Sequence, residues 1–160
     1  MTLKKGYDIN GAKDAIIAKL YTLTDDDGSI VFPSGSIYHG REGKLALYKG
    51  LTCLFGIGDT KKITPALRNT PSWGTHEAGL VIMEPGETDT VIEHINELSR
   101  LIPIFIEENP AMGEIGLNVT LTESNPILRR SFTIKGKTNK PVKCTGCLVN
   151  LDVNIARMPE

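Results

Sequence analysis

Cysteine is scarce: the chain of 160 residues has three, Cys53, Cys144 and Cys147. An odd count in a chain long enough to build its own core speaks against a disulfide-stapled scaffold and for free thiols in a reducing compartment. An excess of one charge is missing too, since 18 Lys and Arg stand against 19 Asp and Glu, a net charge of -1. With no global field to hold nucleic acid or an anionic membrane, neither sequence-specific nucleic-acid binding nor membrane binding is expected. No window reaches the length of a membrane span, and the opening MTLKKGYDINGAKDAIIAKL has neither a continuous apolar stretch nor a small-residue cleavage site, so no secretory signal is expected. The sequon Asn118-Val119-Thr120 therefore carries no weight.

Motifs that would announce a reaction are incomplete. Gly56-Ile57-Gly58 lacks the third glycine and the following helix of a dinucleotide fingerprint, and the Walker pattern is absent. Ser34 and Ser36 lie near His39 in PSGSIYHG without the Gly-x-Ser-x-Gly elbow of a nucleophilic serine, so a loop is the simpler reading. The acids of TDDDGS lack the alternate spacing and distal glutamate of an EF-hand, which leaves a solvated turn. Cys144-Thr145-Gly146-Cys147 has no second Cys or Cys/His pair to complete a zinc site. It also precedes a strand-like run, not the helix that lowers a redox thiol's pKa, and Gly146 reads as the start of that strand. His94, between Glu93 and Glu97 on a helix, reads as a solvated or interface histidine, and Glu107 and Glu108 receive no acid or base role. No catalytic residue, cofactor or metal ligand is assigned, and an enzyme is not expected.

What is present is an ordinary globular composition, 40% hydrophobic and 23% charged. A chain of this length buries roughly 70% of its unfolded surface, so a single domain over residues 1–160 is expected. Asn10 to Leu23 predicts a helix with Ala12, Ile16, Leu20 and Leu23 on one face and Asn10 as its cap. SIVF, KLALY and LTCLFGI predict short strands in a hairpin or meander, broken by Pro33, Gly35, Gly40, Gly43 and Gly50. Residues 59–75, DTKKITPALRNTPSWGT, show neither period and predict a long loop, the first candidate contact surface. Its tryptophan, Trp73, the single one in the chain, fits either an interface or the domain's own core.

HEAGLVIME predicts a strand ending at Pro85-Gly86, followed by a helix capped by a Thr90-x-x-Glu93 box, with Val91, Ile95, Leu98 and Ile102 inward and Pro103 as its end or kink. GLNVTLTES and RRSFTIKG predict two further strands. In the last run Cys147, Val149, Leu151, Val153 and Ile155 alternate with Leu148, Asn150, Asp152 and Asn154. A strand buried on one face favours a mainly antiparallel sheet with the two principal helices on its covered side, an α+β fold. Lys61, Lys62 and Arg68, and later Arg129, Arg130, Lys135, Lys137, Lys140 and Lys143, form local basic excesses. Lys61, Lys62, Arg68, Trp73, Arg129 and Arg130 are the candidate interface residues.

The order of elements, carried by GAKDAIIAKLYTL, LTCLFGI, AGLVIME, DTVIEHINELSRLI and GCLVNLDVNI, resembles the tail terminator (tail completion) proteins of tailed bacteriophages. That resemblance implies a non-enzymatic virion subunit, assembled in the host cytoplasm. Such a subunit would form a homo-oligomeric ring, commonly a hexamer, that caps the tail tube and joins it to the head-tail connector. The loops at 59–75 and 134–143 would then touch neighbouring subunits or the tube. A tail tube or connector subunit, a small binding module and a metal- or thiol-dependent enzyme are the alternatives.

Overall fold

The computed structural model describes residues 2–39, 50–123, 127–135 and 140–159. The expected strand KLALY, its flanking Gly40 and Gly43, and Lys137 lie outside the described residues. Two helices, α1 (Ile9–Leu20) and α2 (Asp89–Glu108), accompany six strands. These are β1 (Ile37–His39), β2 (Thr52–Thr64), β3 (Trp73–Pro85), β4 (Leu117–Leu121), β5 (Ile127–Lys135) and β6 (Pro141–Ala156). They form one sheet in the order β1-β2-β3-β6-β4, with β5 also paired to β6. The fold is α+β and mostly antiparallel, as the one-sided alternation of the last strand predicts.

The cap of α1 is Asp8, not Asn10. One carboxylate oxygen accepts from the Gly11 amide at 2.9 Å and the other from the Lys4 amide at 2.8 Å. The Lys4 amide bond is the main reason that the Asp8 carboxyl sits below its ordinary pKa. Gly11 is required by this arrangement, because a Cβ there would stand 2.3 Å from Asp8 Oδ2. The helix stops at Leu20, short of the expected Leu23, where the Thr22 and Leu23 amides turn back onto the Lys19 and Leu20 carbonyls. Leu23 is still buried, just past the helix end.

The cap of α2 is Thr88, whose hydroxyl accepts from the Val91 amide, so the Thr90-Glu93 box lies inside the first turn. Pro103 neither ends the helix nor marks its boundary: α2 runs on to Glu108. Phe105 and Ile106 beyond the proline are buried in the core, and that burial outweighs the lost backbone bond.

The expected face of β6 is the observed one. Cys147, Val149, Leu151, Val153 and Ile155 are buried and share a core with Ile95, Leu98, Ile102 and Ile106 of α2 and with Ala12, Ile16 and Leu20 of α1. Val91 packs against this core while partly exposed. Both helices therefore cover the same side of the sheet.

Three local expectations change. SIVF forms no strand of the sheet; Thr24 and Ile30 make an isolated bridge, and Phe32 is buried. Within that turn Asp25 accepts from the Asp27 and Ser29 amides, and Asp26 pairs with Arg100. The β1 strand pairs with β2 in parallel, not as part of a hairpin or meander. The third concerns β4 and β5, which lie end to end along one edge of β6, from Leu117 opposite Ile155 to Lys135 opposite Pro141.

Cys144 and Cys147 project from opposite faces of a regular strand that begins at Pro141, so Gly146 is an interior residue paired with Met83 and Arg130, not the start of the strand. Cys147 joins the helix-covered core and Cys144 packs with Met83 on the other side. All three cysteines are free and buried. Burial pushes the Cys53 and Cys147 thiols up, and Cys147 adds to the effect on Cys53.

Candidate assembly interface

Of residues 59–75, expected as a loop, most are strand. The β2 strand runs to Thr64 and β3 starts at Trp73, so the irregular part is 65–72. The two strands form a hairpin whose inner strand stays paired with β6 down to Trp73 opposite Ala156, so that, among the described residues, the outer half of β2 is an open sheet edge and the connection 65–72 projects beyond it. Every residue from Gly58 to Pro71 is exposed. Period 2 marks a strand only where one face is buried, and an arm wetted on both faces has no such alternation to detect.

The arm is ordered locally. At its tip the Thr70 amide and hydroxyl both donate to the Leu67 carbonyl, at 2.9 and 3.1 Å. Asn69 takes a φ of 69°, a left-handed conformation that asparagine tolerates better than most residues. Ile63 and Leu67 are 56% and 74% exposed. The register between β2 and β3 shifts on either side of Thr60, which bulges the outer strand.

The base of the arm is fastened to the body. The Tyr7 hydroxyl lies 2.7 Å from Ser72 Oγ, and the Arg157 amide donates to the Ser72 carbonyl at 2.9 Å. Gly74 is packed so closely that a Cβ would meet the Tyr7 ring and His76 Nε2 at 3.3 Å. His76 is fully buried; its Nδ1 makes a long 3.5 Å contact with Thr60 Oγ1, and its Nε2 has no partner among the described residues.

The sheet face turned away from the helices has two halves. At one end Leu54, Val81 and Leu148 are half-buried in one row, beside the buried Met83 and Cys144. The other end is polar: Thr75 donates to Asn154 Oδ1 at 2.6 Å, and Asn154 Nδ2 donates to the Asn118 carbonyl. Between the halves Gly56 and Gly79 stand directly opposite each other, with Asn150 beside Gly79. Their missing side chains help to floor a groove of about 1030 Å³, whose acidic residues are Glu77, Glu123 and Asp152. Asp152 Oδ1 is 3.4 Å from Lys61 Nζ. Paired glycines in a strand interior weaken the sheet and commonly mark a place where a ligand or another backbone comes close.

The structure gathers four of the six candidate residues and separates the other two. Lys61 and Lys62 line the groove from the arm, Arg68 is exposed at the tip, and Trp73 is half-buried at the base, paired with Thr64 and Ala156. Arg129 and Arg130 are on β5, toward the opposite end of the sheet. Arg129 is exposed and donates to Asn96 Oδ1 of α2, which ties strand to helix. Arg130 is placed by its backbone, opposite Gly146. That end carries a two-stranded extension: β5 and β6 stay paired to Lys135 and Pro141, beyond the last β3 partner at Cys144.

Sequence reasoning missed Glu77, Asp152 and the glycine pair as members of one site. The spacing Gly56-x-Gly58 was visible, but its cross-strand partner Gly79 is fixed by register alone.

Other side chains singled out in the sequence go elsewhere. His94 Nδ1 lies 2.6 Å from Glu84 Oε2, joining α2 to β3. Ser36 Oγ is buried without a partner, and no hydrogen bond joins Ser34 or Ser36 to His39 among the described residues. No helix, among the described residues, is long and apolar enough to cross a membrane. No protein-family model matches the chain, and no curated protein matches it.

Proposed function

We propose that this chain is a non-enzymatic assembly subunit of the kind its element order resembles, a tail terminator of a tailed bacteriophage. It would form a homo-oligomeric ring in the host cytoplasm, commonly a hexamer, and act in the virion between the tail tube and the head-tail connector. The observation that carries the reading is the β2–β3 arm, exposed throughout from Gly58 to Pro71 and presenting Ile63 and Leu67 to solvent. Beyond its pairing with β1 the outer strand is, among the described residues, a sheet edge, and an open edge with large apolar residues at its end gains pairing and burial when another surface covers it. A projecting connection at one end of the sheet and the β5–β6 ribbon at the other also suit a head-to-tail contact, the kind that closes into a ring when the rotation between copies permits.

Light scattering on a size-exclusion column, across a concentration series, tests the proposal. A discrete oligomer of fixed stoichiometry is expected. A monomer at every concentration overturns self-assembly and favours a small binding module, with the groove as its site.

A further inference from the structure

Resting on the reading of the chain as a self-assembling subunit, we infer that the tip of the β2–β3 arm of one copy seats in the glycine-floored groove of the next. The two surfaces are complementary in charge. Beyond Lys61 and Lys62, which line the groove of their own chain, the tip from Ile63 to Ser72 carries Arg68 and no Asp or Glu. The groove presents three acids, Glu77, Glu123 and Asp152, against the two lysines Lys61 and Lys62. Asp152 is partly compensated by Lys61 of its own chain, whereas Glu77 and Arg68 are both exposed and form no ion pair among the described residues. The surfaces are also complementary in form. A Cβ on Gly56 would have nothing within 4 Å, so at that position the floor is bare, and Leu67 and Ile63 are the large exposed apolar groups at hand to cover it.

The occupant is a second copy because the tip, unlike Lys61 and Lys62 at the inner part of the arm, cannot reach its own groove. Its strands run on from the ones that floor the groove, and the Thr64–Trp73 pair lies about 20 Å along them from the Gly56–Gly79 pair. The tip therefore leads away from its own groove and toward a neighbour. The contact uses different surfaces on the two copies, so each copy offers one arm and one groove. Such an interface propagates around a ring and does not end at a two-fold dimer.

Two single variants and their mixture test this. Arg68→Glu disables the arm and leaves the groove; Gly79→Val fills the groove and leaves the arm. Valine suits a strand, and a Cβ at Gly79 meets Leu148 and Val149 only at ordinary contact distances of 3.7 and 3.8 Å, so the variant should fold. Circular dichroism checks that it does. Each variant alone is expected to self-associate at least about tenfold more weakly than the parent chain. An equimolar mixture is expected to form a one-to-one dimer and nothing larger, because one intact arm meets one intact groove.

A charge exchange supplies a second readout that does not depend on Gly79→Val. Glu77→Lys alone weakens association, and Arg68→Glu with Glu77→Lys in one chain restores it. If the parent chain is oligomeric and both single variants keep its mass, the arm-in-groove contact is overturned while self-assembly stands. If the variants weaken association but neither the mixture nor the charge exchange recovers it, the pairing of these two surfaces is overturned. A parent chain that stays monomeric overturns self-assembly itself, and this contact with it.

Discussion

Asp8 holds the start of α1 through two backbone amides, and it does so as a carboxylate. Replacing it with alanine is expected to cost about 1 kcal/mol of stability at neutral pH. Because its folded pKa lies below the ordinary value of 3.8, this stabilisation is fully present above that value and is lost as pH falls through the folded one. Urea titrations of parent and Asp8→Ala should therefore differ at pH 7 and converge in strong acid; a constant difference would exclude the carboxylate as the cause. The thiols give a second test at this scale. Cys53, Cys144 and Cys147 are buried and free, with their pKa values raised by burial. A disulfide reagent at pH 8 is expected to modify them only at the rate of unfolding. Rapid labelling of the folded chain would reopen the thiol-chemistry alternative. The sequence could not separate Asp8 from Asn10 as caps, since both residue types accept from helix amides and the choice depends on which backbone turn precedes the helix.

Among the elements, α2 and the arm behaved differently from their sequence signals for opposite reasons. Pro103 breaks the hydrogen-bond ladder, yet the helix continues because Ile102, Phe105 and Ile106 on either side are buried. Pro103→Ala is expected to raise stability, by up to about 3 kcal/mol, as measured by denaturant midpoint. A lower midpoint would mean that the proline ring packs in a way that alanine cannot replace. The arm was invisible because it lacks a buried face, and the same fact makes it expendable for folding. Replacing residues 65–71 by Asn-Gly, which leaves a three-residue connection ending in Ser72 between the paired Thr64 and Trp73, is expected to leave the melting temperature within a few degrees of the parent and to reduce the oligomer to monomer. A collapse of the melting temperature would instead make the arm part of the folding core. The pairing of β1 with β2 was equally out of reach, because a strand's own residues do not encode whether its neighbour runs parallel or antiparallel.

For the whole molecule, the arrangement is a sheet with helices on one side, an uncovered face with a glycine-floored groove, a projecting connection at one end and a two-stranded extension at the other. If cationic arms meet acidic grooves, raising the salt concentration should shift the equilibrium toward monomer in light scattering, since exposed charges are screened within about 10 Å at 0.1 M salt. Stronger association at high salt would identify the half-buried Leu54, Val81 and Leu148 as the dominant contact instead. The sequence by itself determined the fold class, the two helices and the inward face of β6, because burial imposes periods of 3.6 and 2 that a linear reading detects. It did not separate Cys144 from Cys147, because Gly146 read as the start of the strand and only the pairing of β6 back to Pro141 puts both cysteines in one strand. Tertiary structure alone decided that Gly56 faces Gly79, that Glu77 and Asp152 share one groove, and that Arg68 and Arg129 lie toward opposite ends of the sheet. Those relations are matters of strand register, and register is set by long-range packing that leaves no mark within any single stretch of chain.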